Sequence, residues 1–92
     1  MPSSTFDAFK AQALAEGFTE VLERNWPADA VLDTHTHPFA LKERVVRGEM
    51  WLTIADQTRH LRPGDDFALE SEVAHAERYG TEGATYWVAR RN

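Results

Sequence analysis

Residues 45–55, Val-Val-Arg-Gly-Glu-Met-Trp-Leu-Thr-Ile-Ala, decide the fold. From Met50 onward, Met50, Leu52 and Ile54 fall on one side and Trp51 and Thr53 on the other, the two-residue period of a strand rather than the period of a helix. Working outward, Asp56-Gln57 is a weak hairpin turn, Thr58 to Leu61 a return strand and Pro63-Gly64-Asp65 a strong turn. Phe67 to Leu69, His75 to Tyr79 and Ala84 to Arg90 read as further strands, with Gly80 and Gly83 between the last two. Toward the N-terminus, Ala30 to His37 is closed by Pro38, and Phe18 to Trp26 by Pro27. About eight short strands at regular spacing predict an all-β chain, a small antiparallel sandwich or barrel.

The one helix expected spans residues 5–16, where Phe6, Phe9 and Ala13 form an apolar stripe, Ser4 is the N-cap and Asp7 sits at the positive end of the dipole. Gly17 is its natural stop. The 92 residues therefore read as one domain over 1–92, a helix followed by a barrel over 18–91. A chain this short buries only about 60 to 65% of its extended surface, so closure of the sheet or association is expected to supply the rest. The helix has a stripe to bury and only a small barrel to bury it against, which predicts a homodimer.

Ten Lys and Arg against fifteen Asp and Glu give a net charge of −5, a field that repels phosphate backbones and anionic lipid. Neither nucleic acid nor membrane is expected as a partner. No apolar run approaches the roughly 18 residues of a membrane span, and residues 1–10 lack the features of a signal peptide, so a cytoplasmic location is expected. The absence of cysteine excludes disulfides and thiol catalysis, and leaves His and carboxylates as the strong metal ligands.

His35 and His37 are one residue apart, which in an extended strand puts both imidazoles on one face, close enough to share an ion. Such a pair is also common on a solvated strand face. A third imidazole, His75, lies in another expected strand, where a closed barrel can bring it opposite the first two.

From Trp26 to about Arg91 the chain resembles a small single-domain cupin. The first cupin motif is a glycine, five residues, His-x-His, three or four residues, a glutamate, six residues and a glycine. His35, His37 and Gly48 match it, Asp29 stands at the opening glycine, and Leu41, which cannot ligate, stands at the glutamate. In the second motif Pro63-Gly64-Asp65 leads to His75, Glu70 and Glu72 replace a proline and a glycine, and Tyr79 replaces the final asparagine.

The resemblance implies a jelly-roll β-barrel holding one divalent transition metal on His35, His37 and His75, with Fe, Zn, Ni, Mn and Co all suited to such a site. It implies a metalloenzyme of dioxygenase, isomerase or lyase type, acting on a small oxygen-rich or carboxylate substrate. A non-catalytic cupin that binds or senses a small ligand is the alternative. Three neutral imidazoles would leave the ion nearly its whole charge.

Glu43 and Tyr79 are the acid/base candidates. Glu43 shares the phase of Leu41 and Val45, and three roles stay open for it: a ligand through a register shift, a general base, or a surface partner of Lys42 or Arg44. Tyr79 follows His75 and Glu77 in strand phase and is expected to face the interior, as a donor near the metal or as core. His60 is expected at the surface, Glu70, Glu72 and Glu77 on a solvated rim, and Arg90 and Arg91 exposed. Trp26, Phe39, Met50, Trp51, Tyr86 and Trp87 read as packing or interface residues. An inward Arg among Arg44, Arg47, Arg59 and Arg62 would clamp a carboxylate substrate.

Overall fold

The computed structural model describes residues 5–91. One helix, α1 (Phe6–Ala15), precedes six strands: β1 (Glu20–Trp26), β2 (Val31–His35), β3 (Ala40–Ile54), β4 (Gln57–Leu61), β5 (Asp66–Leu69) and β6 (His75–Arg91). The alternation at Met50 belongs to β3, which is 15 residues long, and the two strands expected on either side of Gly80 and Gly83 are one strand of 17 residues. Glycine in a strand marks a bend as readily as a turn, and here it marks a bend.

β3 and β6 pair antiparallel along most of their length, and each is divided at a bend. Beyond the bend on one side, residues 84–90 of β6 pair with β1 and residues 41–44 of β3 pair with β5. On the other side, residues 75–78 of β6 pair with β2 and residues 50–54 of β3 with β4. Two layers result, β1-β6-β3-β5 and β2-β6-β3-β4, sharing the two long strands as a common spine. The core between them joins Leu41, Val45, Tyr86 and Val88 of one layer to Met50, Leu52, Leu61 and Tyr79 of the other.

The bend depends on glycine. Gly48 has φ +75°, and a Cβ there would lie 2.1 Å from the carbonyl oxygen of Gly83. Gly83 has φ +71°, and its Cβ would lie 2.3 Å from the Trp26 carbonyl oxygen. Three backbones meet with no room for a side chain, and the β3–β6 register shifts beside this crossing.

The helix is capped by Thr5, whose Oγ1 accepts from the Ala8 N–H at 3.1 Å; the expected cap, Ser4, lies outside the described residues. At its end the Phe18 N–H donates to Ala13 and the Gly17 N–H to Leu14, both at 3.1 Å, the paired bonds of a Schellman stop. Phe9 and Ala13 are buried against Trp87 and Ala89 on the outside of the β1-β6-β3-β5 layer, and Phe6 meets the edge of Trp87. The stripe is thus covered by the chain itself. No helix among the described residues is long and apolar enough to cross a membrane.

Two of the replaced motif glycines keep the glycine conformation: Asp29 has φ +59° and Glu72 φ +66°. The Glu72 turn also holds the loop that carries His37, because its N–H donates to the His37 carbonyl at 2.7 Å. The hairpin turn falls at Ala55-Asp56, one residue earlier than expected, since Ile54 pairs with Gln57. A left-handed backbone costs an L-residue about 1–2 kcal/mol, which glycine's extra unfolded-state entropy partly offsets. Glu72→Gly is therefore expected to stabilise the protein by up to about 1 kcal/mol in urea unfolding. Gly48→Ala is expected to destabilise it by at least about 2 kcal/mol.

Candidate metal centre

His35 ends β2 directly across from His75, which begins β6, and His37 follows in the next loop. The ring centroids are 4.3 Å apart for His35 and His75, 4.9 Å for His35 and His37, and 5.2 Å for His37 and His75. One ring nitrogen from each lies within 4.8 Å of the other two. The three residues that the sequence placed on one ion therefore do converge.

Two of the rings are set for ligation. His35 Nδ1 is 2.7 Å from the Asp33 carbonyl oxygen and His75 Nδ1 is 2.9 Å from that of Val73. A carbonyl only accepts, so each Nδ1 donates, and in the neutral ring each Nε2 keeps its lone pair for a ligand bond. Backbone acceptors of this kind fix the tautomer of metal-ligating histidines. His37 stacks on Phe39 at 4.9 Å. Burial first, then the neighbouring His35 and His75, holds its pKa below the usual imidazole range, so it stays neutral as a ligand must.

Glu77 was expected on a solvated rim and is instead buried, 6% exposed, with Oε2 3.4 Å from His75 Nε2 and 3.6 Å from His35 Nε2. Its other oxygen, Oε1, accepts from the Tyr79 hydroxyl. The signal was present in the sequence, since Glu77 is two residues from His75 and so on the same strand face.

Glu43 reaches the same space from the opposite layer. It is 4% exposed, and its Oε1 is buried without a hydrogen-bond partner. Lys42 pairs with Glu16 and Arg44 with Asp66, both at 2.7 Å, so neither holds Glu43 at the surface. Burial, and secondarily the charge of Glu77, pushes its carboxyl well above the ordinary carboxylate range. Tyr79 lies beneath Glu77, 1% exposed and stacked on Trp26, and burial raises its pKa, so its phenol remains a donor.

His35, His37, Glu43 and Glu77 line a cavity of about 480 Å³. Its apolar walls are Leu22, Leu32, Phe39, Leu41 and Val88, and Trp26 and Tyr86, joined by an Nε1–H to hydroxyl bond of 2.9 Å, complete them. Leu41 thus faces the interior at the position of the motif's glutamate. The arginines on the cavity wall are Arg24 and Arg90, and none of Arg44, Arg47, Arg59 and Arg62 lines it. Arg90 pairs with Glu20 and lies over Phe39, whereas Arg24 rests on Trp26 with no acidic partner among the described residues. Trp51 faces outward between His60 and Arg78, and His60 bonds Glu49 at 2.6 Å, so His60 is a surface residue as expected.

The fold is found in known structures. The chain superimposes on DMSP lyase DddQ from Ruegeria pomeroyi with 26% identity and a TM-score of 0.67, over 78% of this chain and 36% of that one. An RmlC-like cupin from Shewanella frigidimarina gives 21% identity and a TM-score of 0.67, over 78% and 65% of the two chains. KdgF from Halomonas sp. gives 19% and 0.67, over 78% and 68%. The protein has the cupin fold. No protein-family model matches the sequence, and no curated protein matches it. The chain spans about a third to two-thirds of the length of these structures.

Replacing His35 or His75 with Ala is expected to abolish stoichiometric metal binding measured by elemental analysis after loading, while His60→Ala leaves it intact. Full occupancy in His75→Ala would refute the site. Glu43 gives a pH signature. A carboxyl whose pKa is raised by folding binds more protons native than unfolded, so it stabilises at low pH and the contribution is lost as pH rises through the folded pKa. The metal-free protein should lose stability from about pH 4.5 upward, and Glu43→Gln should flatten that decline in urea titrations at several pH values.

Proposed function

We propose that this protein is a metal-dependent enzyme acting on a small carboxylate or other oxygen-rich molecule, by a proton-transfer reaction of the lyase or isomerase kind. The observation that supports it most is Glu43: a buried carboxyl with an unpartnered oxygen, lining one cavity with His35 and His37 of the three converging imidazoles. A structural role gives no reason for it. Burying a carboxyl without a hydrogen bond costs stability, and such costs concentrate where chemistry needs a group near its operating pH. KdgF and the DMSP lyases share the fold, which leaves the reaction of this chain open.

A divalent ion bound to the histidines would polarise a substrate oxygen as a Lewis acid. The chain's own residues would do the rest. Glu43, whose burial favours the protonated carboxyl, would deliver a proton and recover it as the cycle closes. Arg24 is the free guanidinium at the wall for a substrate carboxylate, and the apolar residues around Leu22 and Val88 exclude water from the reacting group. Tyr79 serves as a positioning residue, because its hydroxyl is occupied by Glu77. Every group named comes from one chain, so the site needs no second copy to be complete.

Metal-loaded protein screened against hydroxy acids, keto acids and diketones should form product with some members. Glu43→Gln is expected to lower kcat about 10²- to 10⁴-fold with little change in KM, while Arg24→Gln should mainly raise KM. Leu41 at the motif's glutamate position favours the second reading, a non-catalytic module for a small ligand. Heat of binding without product for any compound, in calorimetry on the same panel, would select it.

A further inference from the structure

The facing atoms of His35, His75 and Glu77 carry a consequence for the ligand set, resting on the metal reading above. Both Nδ1 atoms donate to backbone carbonyls, so in the neutral rings the two Nε2 atoms present lone pairs. Glu77 Oε2 presents another to the same point, 3.4 Å and 3.6 Å away, separations too long for N–H···O hydrogen bonds. Converging lone pairs in a buried site repel unless a cation lies among them. Two ligands held about 2.1 Å from one ion at the tetrahedral angle stand about 3.4 Å apart. The separations of Glu77 Oε2 from His75 and His35 match those of ligands around a shared ion, beside the group of three imidazoles whose ring nitrogens all lie within 4.8 Å of one another.

We propose that Glu77 is the carboxylate ligand of the metal, completing a three-His, one-Glu set from β6 in place of the glutamate that Leu41 replaces on β3. The carboxylate is aimed for this. Tyr79, buried and locked by stacking on Trp26, donates to Oε1 and leaves Oε2 for the ion. No Lys or Arg pairs with Glu77 among the described residues, so an ion is the charge partner that its burial otherwise lacks. The ligand set then carries one negative charge rather than none, which lowers the net charge of the centre from about +2 to about +1. Glu43 remains unbound on the opposite wall and free to handle a proton.

The test measures Co²⁺ and Zn²⁺ affinity by chelator competition, the visible spectrum of the Co²⁺ protein, and thermal unfolding with and without metal, for wild type, Glu77→Gln, Glu43→Gln and Tyr79→Phe. Glu77→Gln should weaken metal affinity about 100-fold or more and change the Co²⁺ spectrum, and Tyr79→Phe should weaken affinity about 10-fold. Glu43→Gln should leave affinity unchanged. Without metal, Glu77→Gln should be at least as stable as wild type, since it removes a buried charge, and it should lose most of the metal-induced rise in Tm. A purely structural role would show the reverse: a less stable metal-free variant with the metal increment intact. Wild-type affinity in Glu77→Gln, or the loss appearing in Glu43→Gln instead, would overturn the assignment of Glu77 alone. Wild type that binds neither ion would overturn the metal reading and this inference with it.

Discussion

Where β3 and β6 bend past each other, the backbones of Gly48, Gly83 and Trp26 touch with no space for a Cβ. That contact lets two long strands serve both layers. Without the bend, residues 75–79 of β6 and residues 41–45 of β3 would lie in one continuous sheet. With it, Glu77 looks across a cavity at Glu43, with His75 beside Glu77. β2 then needs only to pair with the start of β6 to bring His35 beside His75. The site is thus a consequence of closure: two strands supply its groups, and the bend turns them toward each other.

The interior combines features that are costly apart and compatible together. Neutral imidazoles, two buried carboxyls and a shell of Leu, Val and aromatic side chains share about 480 Å³. A low-polarity wall keeps Glu43 protonated and Tyr79 un-ionised, and it strengthens the pull of any bound ion. The helix contributes nothing to this cavity. It covers Trp87 and Ala89 on the outer face, so stability and chemistry occupy opposite sides of the same layer.

What was legible in the sequence was local. The alternation at Met50 to Ile54 and the Gly17 stop are each set by a few neighbouring residues and appear in the structure in the expected form, while His35 and His37 come together although β2 ends at His35 and His37 lies in the loop beyond it. What was missed depends on distant contacts. Gly80 and Gly83 read as a turn because a bend and a turn use the same residue, and only the approach of Trp26 separates them. Glu77 read as a rim residue because its neighbours in sequence, Glu70 and Glu72, are exposed; the imidazole of His35 that it faces is 42 positions away by the difference of their numbers. Arg24 was passed over for a similar reason, since its strand joins the cavity only through pairing with β6. Asp29 and Glu72 show the converse. Their glycine-like backbones persist although the glycines are gone, which is why the motif could be read through both replacements.

The central claim is that the converging imidazoles form a metal centre. Elemental analysis of the protein purified without chelator, with buffer dialysed alongside as the blank, tests it most directly. The account predicts close to one transition-metal ion per chain, removed by strong chelators and restored by a single added equivalent. Protein that carries no transition metal, and takes up none of Fe²⁺, Zn²⁺, Ni²⁺, Mn²⁺ or Co²⁺ on reloading, would contradict it.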